Sequence, residues 1–203
     1  MHPVRKALLA LFLLGPGAAA APPALQEGDL VFHTSRSAQS LAIQRATKSP
    51  FSHMGVVLEH GRTLYVLEAV STVRETPLAD WLARGERGRY RALRLADAVT
   101  VLTPDARAKL RREAKAFLGR RYDLTFEWSD DRIYCSELVY KLYDRALGVK
   151  LGEIATLRTF DLTDPAVKRK MRERYGAKVP LDEPVISPAS MAASPRLVTV
   201  AER

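Results

Sequence analysis

One of the 203 residues is a cysteine, Cys135, and four are histidines. Cys135 stands in DRIYCSELVYKLYDRALG, where loop sequence gives way to a helical pattern with Leu138, Val139, Leu142 and Ala146 as its apolar stripe. A cysteine in the first turn of a helix faces unpaired backbone N–H groups and the positive end of the helix dipole. Both favour thiolate, the nucleophilic form, and the same N–H groups can hold a developing oxyanion. Cys135 is placed ahead of the stripe and not within it, which argues against a thiol that only fills a helix–sheet contact.

A working thiolate needs a base and a group to orient that base. His2 lies at the N-terminus, and His60 sits beside Gly61 in an expected hairpin turn, open to solvent. His33 ends the first expected strand and is a candidate pocket residue. His53 opens an apolar strand, from which an imidazole can reach a facing helix N-terminus. Glu68 interrupts LYVLEAV, the strand expected to pair with that of His53. A buried carboxylate is costly unless paired or hydrogen-bonded, and an imidazolium would serve. Cys135, His53 and Glu68 are therefore the candidate catalytic set. No serine has a comparable setting. The histidines and the single cysteine lack a zinc-ligand spacing, so neither a metal nor a cofactor is expected.

These side chains need elements to hold them. LQEGDLVFHTS begins with a Gly28-Asp29 turn and a strand over Leu30–Phe32, and Asp29 reads as a structural turn residue. A helix opened by Ser35, with Ala38, Leu41, Ala42 and Ala46 on one face, should stop at Lys48-Ser49-Pro50. A hairpin follows, from His53 to Glu59 and from Leu64 to Val70. STVRETPLADWLARG gives a short strand and a helical turn after Pro77, and YRALRLA a further strand. Thr103-Pro104-Asp105 starts a helix that ends at Leu118-Gly119. The Cys135 helix closes at Gly148, and another runs from Asp164-Pro165 to Gly176. A last strand is expected near Leu197–Val200. The mixture of helices with hairpin-joined strands predicts an α+β fold.

At the N-terminus, His2, Arg5 and Lys6 precede an apolar run that ends in small residues, the pattern of a secretory signal peptide over residues 1–21. Export to the periplasm or beyond follows, with residues 22–203 as a single domain. Formal charge is +9 with Arg5 and Lys6 included. The clusters RAKLRRE and VKRKMRERYG are interleaved with Glu and read as solvated helix faces. No nucleic-acid motif is present. Peripheral contact with an anionic envelope surface is the partnership that the charge leaves open. An exported protein that keeps one unpaired thiol keeps it either buried and inert or for reaction.

EGDLVF and SPFSHMGVVLEHGRTLYVLEA resemble the Gly-Asp and histidine strands of papain-like NlpC/P60 cysteine peptidases. In the usual members the cysteine helix precedes these strands, whereas here YCSELVYKLYDRALG follows them. That order resembles the permuted YiiX/YebB-like branch, related to the lecithin:retinol acyltransferase group. The resemblance extends through TPLADWLARG and RRYD and covers most of the chain. It implies a permuted papain-like fold, an antiparallel sheet with the nucleophile helix against it. It further implies Cys135 as nucleophile, His53 as general base and Glu68 as its orienting residue. Tyr122, in GRRYD, resembles a tyrosine that lines the active site. Asp123, with Glu137, would line the pocket or tie loops together, and Ser136 would cap the helix. The implied activity is amide hydrolysis through a thioester, on a peptide or cell-wall peptide. Two alternatives stay open: a thiol acyltransferase or lipid-ester hydrolase acting on an acylated small molecule, which needs an apolar groove, and a non-catalytic ligand-binding module, which would tolerate Cys135→Ser.

Overall fold

The computed structural model describes residues 24–203, so the expected signal segment lies outside the described residues. Strand β1 (Leu30–His33) leads to helix α1 (Ser40–Thr47), and β2 (His53–His60), β3 (Thr63–Ala69) and β4 (Val73–Pro77) form a meander. Helix α2 (Leu78–Ala83), strand β5 (Arg91–Leu95) and helices α3 (Ala98–Val101) and α4 (Pro104–Phe117) follow. Two-residue strands β6 (Arg121–Tyr122) and β7 (Arg132–Ile133) bracket the loop before α5 (Cys135–Leu147). Then come β8 (Ala155–Thr156), α6 (Pro165–Tyr175), β9 (Pro184–Val185), α7 (Pro188–Ala192) and β10 (Leu197–Glu202). The main sheet has the order β10-β5-β1-β2-β3-β4 and is antiparallel throughout, the expected α+β architecture.

The sheet buries both faces. Leu30, Phe32, Met54, Val56, Leu58 and Leu67 meet α4 and α5 in the larger core. Val31, Val57, Val66 and Ala92, one residue out of phase, pack with Trp81 of α2 on the other side. Helix α5 is buried on almost every side from Cys135 to Tyr143. The expected single stripe is thus corrected: Ser136, Glu137 and Lys141 are as enclosed as Leu138, and Cys135 belongs to the core cluster. Buried polar groups there need partners, and they have them. Lys141 Nζ lies 2.7 Å from Glu137, and Ser136 Oγ donates to the Ile186 carbonyl at 2.9 Å. Ser136 therefore ties α5 to the C-terminal segment and does not cap its own helix.

Other expectations are moved by tertiary contacts. Helix α1 begins at Ser40 and not at Ser35, because Ser35 N–H donates to Ser52 Oγ at 2.8 Å and its hydroxyl pairs with Ser37. Leu41 turns outward, 49% exposed, while Ala42 is buried. Asp29 accepts both Arg94 Nε and Nη2, at 2.6 and 2.8 Å, a structural role as expected. In α4, Arg111 reaches the buried Glu27 at 2.5 Å, so that basic cluster is not merely solvated.

Gly55 sits between two strands that approach closely. A Cβ there would lie 2.4 Å from Val66 Cγ1 and 2.6 Å from the Leu67 carbonyl oxygen, with Glu68 Cβ at 3.5 Å. Gly55→Ala is expected to destabilise the fold by about 2 kcal/mol through overpacking. Urea unfolding checks this: the midpoint should fall with the slope unchanged.

Candidate active site

The start of β2, the end of β3 and the start of α5 converge at one end of the sheet. His53 Nε2 lies 2.8 Å from Glu68 Oε2. Hydrogen on Nε2 makes that contact favourable, and Cys135 lies close enough to His53 to raise its affinity for a second proton. All three side chains are buried.

Glu68 is held from every direction. Trp81 Nε1 donates to Oε2 at 3.0 Å, and Thr76 Oγ1 and Arg84 Nη2 donate to Oε1 at 2.6 and 2.5 Å. Arg74 Nε stands 3.5 Å away. Burial would raise the carboxyl, but His53, Thr76 and Arg84 hold it down at about 2. Burial likewise opposes charge on His53, yet its hydrogen bonds to Cys135 and Glu68 prevail and carry it up to about 9. The site therefore keeps an imidazolium at neutral pH between the Cys135 sulfur and a carboxylate. Because α5 starts at Cys135, the N–H groups of its first turn have no helical acceptors and can face an oxyanion.

The same arrangement sets a pH dependence for stability. A group raised from 6.5 to about 9 on folding contributes fully below 6.5 and loses that contribution as pH rises through 9. The carboxylate's share, from the same pair, is lost as pH falls below 4.5 toward 2. The Tm difference between wild type and His53→Ala should be largest between about pH 5 and 6.5 and fade by about pH 9. A thermal-unfolding series across that range measures it.

Of the remaining expected site residues, Tyr122 and His33 are brought to the site and Asp123 is not. Tyr122 lines an apolar cavity together with Cys135, and also the cleft beside His53. Its hydroxyl accepts from Gln39 Nε2 at 2.8 Å, so its own proton remains available. Burial, and then the charge of Cys135, push the phenol above its usual range. His33 stacks on Trp81 with ring centroids 4.1 Å apart and lies 5.3 Å from the His53 ring. Burial, followed by repulsion from His53 and Arg84, lowers it to about 3 and keeps it neutral. Asp123 is fully buried and turned toward its own loop. It accepts from the N–H groups of Thr125 and Glu127 and from the Thr125 hydroxyl, so it braces the segment before Cys135. Glu137 is also a brace: it accepts from Tyr134 N–H at 3.4 Å and pairs with Lys141.

Sequence reasoning passed over Trp81, Thr76 and Arg84 as holders of Glu68, and Gln39 as the partner of Tyr122. PLADWLARG was visible as a motif, but nothing local says that its Trp and Arg meet a carboxylate two strands away. Among the described residues, no group of three or more His, Cys, Asp or Glu is placed to hold a metal ion.

Residues 24–201 match the family model of permuted papain-like amidase enzymes, YaeF/YiiX, the C92 family. The chain is 44% identical over 198 residues to the uncharacterized protein YiiX of Escherichia coli strain K12, covering 98% of this chain and 95% of that one. It also superposes with a TM-score of 0.84 on a crystal structure of YiiX from Escherichia coli O157:H7, described there as a metalloprotein. That match has 47% identity and covers 88% of this chain and 97% of the other.

Proposed function

Because the chain belongs to the C92 family of permuted papain-like amidases, we propose that it is a cysteine amidohydrolase with Cys135 as nucleophile, His53 as acid and base, and Glu68 as the residue that orients His53. The observation that carries this is His53, bonded to Glu68 at 2.8 Å, buried beside Cys135 at the start of α5. Cys135 sulfur attacks the amide carbon, and the backbone N–H of the first turn with the Tyr122 hydroxyl takes up the charge on oxygen. The C–N bond breaks as the His53 proton passes to the leaving nitrogen. Water then gives its proton to His53 and its oxygen to the thioester carbon, which frees the thiolate. The signal pattern of residues 1–21 supports export as the setting.

A specific observation favours a second reading of the substrate. The cavity that reaches Cys135 is walled by Ala42, Ile43, Phe126, Leu157, Phe160 and Met171. Such a wall suits an apolar acyl group better than a polar peptide, so a lipid amide, ester or acyl donor enters on equal terms with a cell-wall peptide. Whether water or a second nucleophile receives the acyl group separates hydrolase from transferase. Intact-mass analysis after acid quench, with acyl amino acids, acyl esters and peptides offered in parallel, tests both. A hydroxylamine-labile mass on Cys135 identifies the acyl group. Absence of any adduct across all three classes, with no turnover, removes the enzyme reading.

A further inference from the structure

We infer that the cleft on the His53 side of the nucleophile is an anion-recognising subsite for the leaving group, built around Arg36. The inference rests on the proposed Cys135–His53 chemistry. The proton donor must stand beside the departing nitrogen. His53 lines this cleft and is absent from the wall of the apolar cavity, while Cys135 lines the apolar cavity. The acyl group therefore lies in the apolar cavity and the amine in the cleft, with Tyr122 and Gln39 on the border of both.

The cleft has a one-sided charge. Arg36, Arg84 and His53 line it with Ser35, Ser37 and Ser52, and no carboxylate does. Glu68 already engages Arg84 and His53 from beneath, whereas Arg36 is exposed and has no ion-pair partner among the described residues. Its segment is nevertheless held in place. Ser35 N–H is bound to Ser52 Oγ at 2.8 Å, Ser52 Oγ to Ser40 Oγ at 2.6 Å, and the Thr34 hydroxyl to the Pro50 carbonyl at 2.6 Å. The start of α1 borders the cleft at Gln39 and adds the positive end of its dipole. His33, 3% exposed, forms part of the wall, and its Nδ1 is buried without a protein partner. An amine that carries a carboxylate or a phosphate close to its nitrogen fits this lining.

Cys135 is the only cysteine, so its alkylation reads the cleft without knowledge of the substrate. Iodoacetate carries the anion and iodoacetamide does not. The iodoacetate-to-iodoacetamide rate ratio should be higher in the folded protein than in the same chain unfolded in urea. Arg36→Ala should lower the folded ratio about fivefold, the scale of one exposed ion pair, and Arg36→Glu should lower it further. An unchanged ratio in both variants overturns the subsite. The iodoacetamide rate alone reports the thiol, so a slow thiol and an indifferent cleft are separate results. Ethanolamine phosphate and glycylglycine, added as competitors of iodoacetate, distinguish a phosphate from a carboxylate source. Protection by either supports the subsite, and protection by neither counts against it.

Discussion

Cys135→Ala should abolish turnover, a loss of the order of 10⁶-fold if the triad acts as a unit, while the protein stays folded. No second thiol exists to take over. The nearest hydroxyl in sequence, Ser136, is committed to the Ile186 carbonyl, and Ser187 caps α7 through the Ser190 N–H. Alanine keeps helix propensity and removes only the sulfur, so the cost to stability should be about 1 kcal/mol. Circular dichroism and thermal unfolding establish the fold, and product formation establishes the chemistry. A non-catalytic module would instead retain its ligand binding and show no turnover in either protein.

Glu68→Gln is expected to have the second largest effect, and it acts on two readouts. Glutamine fills the same volume but removes the charge that His53, Arg84 and Arg74 share. It also places an amide where Trp81, Thr76 and Arg84 all present donors. One NH₂ must then face another donor, and a buried pair loses its anion. A loss of about 3 kcal/mol in stability follows, visible in urea unfolding. For activity, His53 loses the partner that fixes its tautomer, and kcat should fall about 10²-fold or more. The alkaline limb of the pH profile is the more telling signal. His53 is held up to about 9 by Cys135 and Glu68 together, so without Glu68 the imidazolium should be lost at lower pH. A purely structural Glu68 would lower stability and leave that limb in place.

The parts of the fold written in local chemistry were the parts open to reading. Helix α5 runs from Cys135 to the left-handed Gly148, and α6 from its cap Asp164 to Gly176, as their boundary residues announce. The hairpin of His53 and Glu68 follows from two apolar runs around Gly61. From it came the most useful deduction about the site, that a carboxylate inside an apolar strand needs a cation across the sheet. What failed depends on distant partners. The start of α1 is displaced by Ser52. Asp123, expected to line the pocket or tie loops together, ties its own loop, accepting from the nearby N–H groups of Thr125 and Glu127. The stripe of α5 suggested a half-exposed helix, and only the packing of α4, α7 and the sheet around it shows why Ser136, Glu137 and Lys141 are enclosed. Gly55, where a side chain would not fit, reads in sequence like any glycine in a strand. Its role is visible only where Val66, Leu67 and Glu68 press against it.

If an imidazolium at position 53 activates Cys135, the iodoacetamide alkylation rate measured against pH will show it. An ordinary thiol gains reactivity with a midpoint near about 8.5. The wild-type rate should already have reached a plateau well below that value, and the plateau should disappear in His53→Ala. A rate in wild type that follows an ordinary thiol and is indifferent to His53→Ala would contradict it.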